Sequence, residues 1–382
     1  MEENIPIEEN TLPNFIKEYC ANKKGVIEEL EEQFEKLKIN NMWKEKIVQS
    51  RLLVSEQLEE VSKIMKEMAK NIYINPNFKE DVEELILDEL RNNKVDVIDV
   101  VAMELEKDNI EIYVEVDNGH KDENRYDRVK KIVSDVLGMP LKGEFNGSRG
   151  EAGKQKFKFI KGNRYSALTE VVSIPSQRNK ISGDNYTFGE GENIYYSAIS
   201  DGMGVGKKAN NESNIAINLL EKFIEAKFDK ELALKTINSI LMLSSNDEIF
   251  TTFDISLIDL YSGKLQLVKT GAPATFIKKK DRVEVINSQS LPVGILKDVD
   301  FNVYEEYLED GDIIIMMSDG VLDSNEEAEN SELWMKDLIS RIDSVNPKII
   351  GEKILEAANE ACDFNPRDDM TVMVTKVWKT IR

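Results

Sequence analysis

Hydrophobic residues near the start of the chain recur with a helical period. Between residues 26 and 72 they fall three or four positions apart and later seven apart, with one break in phase. The later part, from Ile47 to Ile72, keeps its apolar residues on one side of a helix at coiled-coil spacing. An amphipathic helix packed on its own domain would show the same pattern. The sequence Asn75-Pro76-Asn77 predicts the end of the helix, so we expect a helical linker over residues 1–75.

Residues 76–163 change between strand-like alternation and short helical periods. The pattern predicts helix, strand, strand, helix and strand in that order, with a hairpin turn at 106–109 and a glycine-containing loop at 143–153. No spacing in this segment is typical of a catalytic site. We therefore interpret it as a small mixed α/β domain with a regulatory or interaction role.

Residues 164–382 have a denser, strand-rich pattern. The predicted elements are strands at 167–174 and 194–200, helices at 207–227 and 229–243, six strands between 252 and 317, helices at 333–342 and 347–361, and a strand at 370–377. Strands grouped together, with helices segregated to the outside, predict an α+β sandwich. We expect this segment to be the largest domain of the chain.

The composition then narrows the function classes. The net charge of −22 argues against nucleic-acid binding, because phosphate contacts need a basic surface. No uninterrupted apolar stretch reaches the roughly 20 residues that cross a bilayer. The chain has two cysteines and one histidine, which nearly excludes a thiolate zinc cluster, a disulfide framework and a Ser-His-Asp triad. His120 lies in a polar turn sequence, so a surface position is favoured over a catalytic one. Any metal must be held by oxygen ligands, and a reducing cytoplasm fits best.

Two Ser-Asp-Gly elements stand at the ends of apolar runs, at residues 200–202 and 318–320. A strand that ends in Asp-Gly presents one carboxylate at the rim of a sheet, and the glycine allows close approach. Asp184 precedes the first element, and Asp368 and Asp369 follow the second. Each acid alone also fits an ordinary turn. Together they predict a hard-cation site that folding assembles.

Such a set of oxygen ligands suits one kind of chemistry. Magnesium and manganese ions held by shared carboxylates can clamp a phosphoryl group and activate a bridging water. This chemistry needs a few acids on a rigid sheet and one backbone carbonyl, without a covalent nucleophile. The groups that meet this need are Asp184, Asp201, the Gly202 carbonyl, Asp319 and Asp368.

The motifs resemble those of a known family in order and spacing. Ser182-Gly183-Asp184, Ser200-Asp201-Gly202-Met203-Gly204, Ser318-Asp319-Gly320 and Asp368-Asp369-Met370-Thr371-Val372 are similar to the motifs of the metal-dependent type 2C protein phosphatases of bacteria. More specific segments resemble the stage II sporulation protein E family within it. These segments are Asn41–Trp43, Ala209–Ser213, Lys235–Ile240, Leu291–Ile295 and Leu333–Lys336.

The resemblance implies a fold and a role for each site residue. The fold would be an αββα sandwich preceded by a long helical linker and a small α/β regulatory domain. Asp201 would bridge two metal ions and the Gly202 carbonyl would join it, in a site of two or three Mn²⁺ or Mg²⁺ ions. Asp319 and Asp368 would hold the first metal, so that they and Asp201 carry the catalysis. Asp184 would support the second metal, often through water.

Three positions depart from the family pattern or stay open. Asp369 stands where many relatives have Asn, which favours a positioning residue outside the ligand set. Met203 stands where many eukaryotic relatives have a histidine proposed as general acid, so the leaving group would take its proton from water or elsewhere. The stretch 174–180 lacks the paired glycines expected there. Its Arg178 could bind the substrate phosphate through its guanidinium or lie in solvent as a loop residue.

The resemblance also implies a substrate and partners. We expect a serine phosphatase that acts on a phosphorylated anti-sigma-factor antagonist and thereby activates a sporulation sigma factor. A homodimer through the linker and regulatory region, and division proteins as partners, belong to this expectation. The alternatives are a stress-pathway phosphatase of the same family and a division- or membrane-associated scaffold with weak catalysis. Sporulation members normally carry a multi-span membrane region, so the chain would be cytoplasmic, or tethered to the cytoplasmic face if it is a fragment.

Overall fold

The computed structural model describes most of the chain after residue 75 and scattered residues before it. The described residues are 13, 20, 22, 24–30, 32–33, 35–37, 39, 43–44, 76–106, 109–117, 124–146, 154–176, 181–191, 193–202, 207–226, 233–238, 240, 251–287, 292 and 302–380. The chain divides into two compact units, Met1–Ala69 and Lys70–Arg382. In the first unit the described residues between 24 and 44 are helical. The seven-residue repeat from Ile47 to Ile72 lies outside the described residues, so the coiled coil stays a prediction.

The second unit begins with a five-stranded antiparallel sheet, sheet I, in the strand order β1-β2-β3-β5-β4. Its elements are β1 Asn77–Phe78, α1 Glu80–Asn92, β2 Val97–Glu106, β3 Asn109–Asp117, α2 Arg125–Leu137, β4 Leu141–Asn146 and β5 Lys154–Lys161. Both helices pack on one face of the sheet, where Ile86, Val133 and Phe157 are buried in a common core. The predicted order of helices and strands is therefore present, with two further strands.

Strand β4 corrects the expectation of a loop from residue 143 onward. Gly143 lies inside β4, paired with Phe159 of β5. A Cβ at this position would lie 2.4 Å from the Tyr126 hydroxyl and 2.8 Å from the Phe159 ring. Glycine is therefore required because aromatic side chains lie directly over the strand, and it does not mark a loop.

Two further five-stranded sheets form the larger part of the unit. Sheet II has the order β13-β10-β9-β8-β7, and sheet III has the order β12-β11-β14-β15-β6. The elements are β6 Tyr165–Ile174, β7 Asp184–Glu190, β8 Ile194–Asp201, α3 Lys207–Glu225, β9 Phe253–Asp259, β10 Lys264–Thr270, β11 Thr275–Lys278, β12 Val283–Ile286, β13 Asn302–Tyr307, β14 Ile313–Met317, α4 Asp319–Leu322, α5 Ser331–Arg341, α6 Pro347–Ala361 and β15 Met370–Lys379. Residues 233–238 are also helical.

The two sheets stack with helices on both outer faces. In β14, Ile313 and Ile315 pack with α5 and α6 residues, whereas Ile314 and Met316 lie in the core between the sheets. Helix α3 and the helical residues 233–238 cover sheet II through a third core that includes Leu220 and Ile237. A strand buried on both faces reads as a continuous apolar run, which explains the sequence of β14. The αββα sandwich is therefore confirmed.

Hydroxyl groups join the two sheets within their shared core. The Tyr195 hydroxyl of β8 donates to Thr169 Oγ1 of β6 at 2.9 Å, and Thr169 and Thr375 of sheet III lie 2.8 Å apart at Oγ1. The Thr375 hydroxyl donates in turn to Ser197 Oγ of sheet II at 3.4 Å. These side chains are buried, so their bonds offset the cost of removing the hydroxyls from water.

A buried ion pair lies in the same sandwich. Lys269 of β10 and Asp254 of β9 are cross-strand partners, with 2.5 Å between Lys269 Nζ and Asp254 Oδ2. Lys269 also donates to Thr275 Oγ1 of sheet III at 2.6 Å. The two charged side chains are only 3% and 2% exposed. Burial lowers the pKa of Lys269, and the charge of Asp254 opposes that shift.

The connection between β5 and β6 is held against the sandwich. The Tyr261 ring lies 3.5 Å from Lys161 Nζ and 4.4 Å from the Arg164 guanidinium carbon. The side-chain amide of Asn163 donates to Glu190 Oε1, at the end of β7, at 3.0 Å. Sheet I and sheet II therefore contact each other through this connection.

Among the described residues, no helix combines the length and the hydrophobicity that a membrane crossing needs.

Candidate metal centre

Four of the predicted acids lie together where strands of sheets II and III end. Asp184 begins β7 and Asp201 ends β8, and the two are cross-strand partners. Asp319 begins α4 directly after β14, and Asp368 precedes β15. The charges of Asp184, Asp319 and Asp368 all act on Asp201. The local sequence explains this arrangement in part, because each acid stands at or next to the point where a strand begins or ends.

The four acids differ in their access to solvent. Asp184 is 7% exposed and Asp201 is half-buried, whereas Asp319 and Asp368 are exposed at the rim. The group of acids is therefore shielded from solvent at Asp184 and accessible to solvent at the two rim acids. A hydrated ion or a phosphate group would reach it from that accessible side.

Burial and mutual repulsion raise the pKa values of Asp184, Asp201 and Asp319. Burial, above all, raises the pKa of Asp184 to about 7, with the charges of Asp369 and Asp319 adding to it and hydrogen bonds from Thr371 and Ser318 opposing it. The pKa of Asp201 rises to about 9 through burial, through the neighbouring carboxylates and through a hydrogen bond with Asp184. With a pKa of about 9, Asp201 keeps its proton at neutral pH, so without a cation this pair carries fewer than two negative charges.

The donor set fits a divalent cation. Among the described residues, the buried Asp184 Oδ2 has no hydrogen-bond partner, which leaves a carboxylate oxygen available in a place where an orphaned acceptor is costly. Positive charge would also relieve the repulsion that raises the pKa values. Within the described part of the chain, no three acidic, histidine or cysteine side chains already converge as one ligand group. The carboxylates therefore supply the charge and the oxygens, and the final ligand geometry would form with the ion.

Two glycines let backbone segments approach the acids. A Cβ on Gly202 would lie 2.2 Å from the carbonyl oxygen of Ala209 in α3, and one on Gly320 would lie 2.3 Å from the carbonyl oxygen of Asp369. No other residue fits these contacts without moving the backbone. The glycines of both Ser-Asp-Gly elements are thus explained by close packing.

Hydroxyl residues that the sequence pattern did not single out support the Asp201 backbone. Thr251 Oγ1 donates to the Asp201 carbonyl at 2.8 Å and lies 2.7 Å from Ser200 Oγ. The Asp201 N–H donates to Thr252 Oγ1 at 3.2 Å. The only sequence signal was the pair of threonines before β9, which also fits an ordinary strand start. These contacts fix where β8 ends and hence where the Asp201 carboxyl stands.

The serine of the second Ser-Asp-Gly element holds the strands that carry Asp319 and Asp368. Ser318 Oγ donates to the Asp369 carbonyl at 3.1 Å and accepts from the Thr371 N–H at 2.9 Å. The end of β14 is thereby joined to the start of β15. The two rim acids keep a fixed separation along the edge of sheet III as a result.

Asp369 is buried beside the four acids and bonds to backbone. Its Oδ1 accepts from the Ser176 N–H at 2.7 Å, and its Oδ2 accepts from the Gly183 N–H at 2.6 Å. Ser176 Oγ is buried and has no hydrogen-bond partner within the part of the chain that the structure describes. Two further residues of the sequence analysis, Arg178 and Met203, lie outside the described residues, so their predicted roles are untested.

Comparison with known proteins bears on the fold and on the family of this chain. A family model described as "Stage II sporulation protein E (SpoIIE)" matches residues 192–378, and one described as "SpoIIE, regulatory domain" matches residues 1–145. A solved structure of the PP2C phosphatase domain and a fragment of the regulatory domain of SpoIIE from Bacillus subtilis is 32% identical, with a TM-score of 0.68. The match covers 89% of this chain and 99% of that one. The chain belongs to the SpoIIE family.

Two curated relatives match this chain over only part of their own lengths. Stage II sporulation protein E of Bacillus subtilis (strain 168) is 34% identical over 94% of this chain and 44% of its own length. Phosphoserine phosphatase RsbU of the same organism is 24% identical over 54% of this chain and 62% of its own length. The chain thus spans less than two thirds of either relative. Membership of the SpoIIE family agrees with the resemblance drawn from the motifs.

Proposed function

We propose that residues 164–382 are a metal-dependent protein serine phosphatase that uses two or three Mn²⁺ or Mg²⁺ ions. Residues 76–163 would be its regulatory domain and residues 1–75 a helical linker. One observation carries the proposal: four carboxylates lie near one another at the ends of strands in two sheets, and burial with neighbouring charges raises the pKa values of Asp184 and Asp201. Among the described residues, the buried Asp184 Oδ2 also has no hydrogen-bond partner. Without a bound cation these carboxylates repel one another, and a cation would offset that repulsion.

Each residue has a distinct role in this proposal. Asp201 and the Gly202 carbonyl would hold two ions together, Asp319 and Asp368 would hold one from the rim, and Asp184 would support the other. The bound ions would clamp the phosphoryl group and lower the pKa of a water molecule that attacks phosphorus. The bonds of Thr251 and Ser318 support these roles because they hold the acids still before substrate arrives.

The substrate would be a phosphorylated serine of an anti-sigma-factor antagonist protein. Family membership supports this choice, as does the similarity to a relative named as a phosphoserine phosphatase. Its dephosphorylation would activate a sporulation sigma factor. A stress-pathway antagonist is the alternative substrate within the same chemistry. A homodimer through the linker and regulatory region, contacts with division proteins, and a place in the cytoplasm or at the cytoplasmic face of a membrane complete the proposal.

The test is phosphate release from a serine-phosphorylated antagonist protein in the presence of Mn²⁺. Wild type should release phosphate, and Asp201→Asn should lose at least about a hundredfold in kcat, because the Asp201 carboxylate would hold both ions. Asp312→Asn is the matched control, since Asp312 is a buried acid that accepts the Glu309 N–H at 2.9 Å before β14 begins. The control should keep its activity.

Two outcomes would contradict the proposal. Equal release by wild type and Asp201→Asn would show that the four acids are not the reaction centre. No release by wild type, with Mn²⁺ or Mg²⁺ and with antagonists of either pathway, would favour a scaffold with weak catalysis.

A further inference from the structure

The two sides of Gly183 are bonded by side chains from different parts of the sandwich. Its N–H donates to Asp369 Oδ2 at 2.6 Å, from the start of β15 in sheet III. Its carbonyl accepts from the Ser213 hydroxyl of α3 at 2.5 Å. Gly183 directly precedes Asp184, so its two bonds fix the backbone from which the Asp184 carboxyl extends.

Packing around Gly183 is close on the same sides. A Cβ on this residue would lie 3.2 Å from Ala209 Cβ, 3.5 Å from Asp369 Oδ2 and 3.6 Å from the Gly202 carbonyl oxygen. Helix α3, the start of β15 and the end of β8 therefore all meet at this one residue. A shift of any of them would move the segment before Asp184.

Helix α3 holds this segment by more than one bond. The side-chain amide of Asn210 donates to the Ser182 carbonyl at 2.7 Å, next to the bond from Ser213. Ser213 is fully buried and also accepts from the side-chain amide of Asn185 at 2.8 Å. The residues on both sides of Asp184 are thus bonded to the same turn of α3.

We propose that Asp369 and Ser213 are positioning residues that hold Asp184 against Asp201 by fixing the peptide groups of Gly183. Both carboxylate oxygens of Asp369 already accept backbone N–H groups, from Ser176 and Gly183. Asp369 would have to release that backbone before it could serve as a metal ligand. The pair acts through Asp184 and contacts no substrate. The proposal rests on the proposed function, since it concerns a residue of that metal site.

The experiment measures Mn²⁺ binding by titration calorimetry without substrate, and kcat and KM separately. Ser213→Ala removes the bond to the Gly183 carbonyl and the bond from the Asn185 amide. It should weaken Mn²⁺ binding about tenfold, the loss expected for one to two typical hydrogen bonds. Asp369→Asn places a side-chain N–H donor against a backbone N–H donor. It should therefore weaken Mn²⁺ binding more than Ser213→Ala does. In both variants kcat at saturating Mn²⁺ should fall less than metal affinity, and KM for the phosphoprotein should stay near the wild-type value.

Matched controls separate positioning from general loosening. Ser134→Ala removes a hydroxyl that donates to the Met139 carbonyl at 2.6 Å in the sheet I domain, and Asp312→Asn replaces a buried acid beyond the opposite end of β14. Both should bind Mn²⁺ as wild type does. If Ser213→Ala does not fold, Asn210→Ala tests the neighbouring bond to Ser182, with a loss of about threefold in affinity expected.

The outcomes are distinguishable from failure of the proposed function. If wild type neither binds Mn²⁺ nor releases phosphate, the phosphatase proposal fails. If wild type does both, and the Ser213 or Asn210 variant and Asp369→Asn bind Mn²⁺ as tightly as wild type, the positioning role is wrong while the phosphatase proposal stands. A parallel rise in KM without loss of Mn²⁺ affinity would also overturn it, because it would indicate substrate contact.

Discussion

Asp184 and Asp201 stand directly opposite each other on β7 and β8, and the charge of Asp184 raises the pKa of Asp201. Two like charges at paired positions of an antiparallel ladder destabilise it. The protein therefore keeps at this position an arrangement that is unfavourable for the fold alone. The stability of the protein should therefore depend on the protonation of these two acids and on bound metal, and both dependences can be measured.

The stability of the metal-free protein should fall as pH rises. Folding raises the pKa of Asp201 from 3.8 to about 9, so between these values the folded state holds a proton that the unfolded state has lost. Stability then decreases with pH through this window. Asp201→Asn removes the titrating group and should raise the melting temperature of metal-free protein at pH 8. Thermal unfolding from pH 5 to pH 9 in a chelator checks this expectation.

Added Mn²⁺ should offset the loss of stability at high pH in wild type but not in Asp201→Asn. Metal binding displaces the proton, so the rise in melting temperature on adding Mn²⁺ should be larger at pH 8 than at pH 6. Asp201→Asn should lose most of this rise. A wild-type stability that is flat with pH in chelator would show that the acids do not repel one another as described.

Gly202→Ala should destabilise the protein by about 1–3 kcal/mol. The new Cβ would meet the Ala209 carbonyl oxygen at 2.2 Å, so the start of α3 has to move. Gly191→Ala is the control, because its Cβ would only reach an ordinary contact of 3.5 Å with the Ile194 carbonyl oxygen. Urea unfolding of the three proteins gives the comparison, and equal stability of the two variants would contradict the packing described.

Lys269→Met should cost about 3–5 kcal/mol, because it leaves the Asp254 carboxylate buried without its counter-charge. Replacing both partners, with Asp254→Leu added, should recover part of that loss. Lys264→Met on the same strand breaks a pair with Glu305 whose side chains are 34% and 46% exposed, and it should destabilise the protein far less than Lys269→Met because solvent screens the pair. Denaturant unfolding at neutral pH measures all three, and a small effect at Lys269 would mean that the pair is not desolvated.

Tyr261→Leu should loosen the connection between β5 and β6. The ring is in contact with both Lys161 and Arg164, and each cation–π contact at a partly exposed site is worth about 0.5–1 kcal/mol. Trypsin cleavage after Lys161 and Arg164 should become faster. Tyr307→Leu, at a ring that is 65% exposed in β13, should leave cleavage at these two sites unchanged.

The sequence predicted best those elements that have local signals. Helix α6 was predicted over Pro347–Ala361 as observed, because Pro347 suits a first turn and the Asn346 side chain caps the helix by accepting the Lys348 N–H at 3.0 Å. Strand β14 was evident from an apolar run that is buried on both faces. The grouping of the acids followed from their places at strand ends.

The sequence did not reveal features that depend on tertiary partners. Strand β7 was missed because, from Asp184 to Glu190, polar residues and Gly189 interrupt its apolar positions, as suits the edge of a sheet. The bonds of Asp369 to Ser176 and Gly183 join residues far apart in the chain. In the sequence, Ser213 is an ordinary polar position of an amphipathic helix. Only the folded structure places its hydroxyl against the Gly183 carbonyl.

The hydroxyl contacts of Tyr195, Thr169 and Thr375 govern how the two sheets are aligned. If one sheet slid by a residue along the other, these buried hydroxyls would lose their partners, and desolvated groups would be left unpaired. The acids of Asp184 and Asp201 belong to sheet II, and those of Asp319 and Asp368 adjoin sheet III. The distance between the two pairs of acids therefore depends on contacts in the interior, and a substitution there would alter the proposed metal site without touching it.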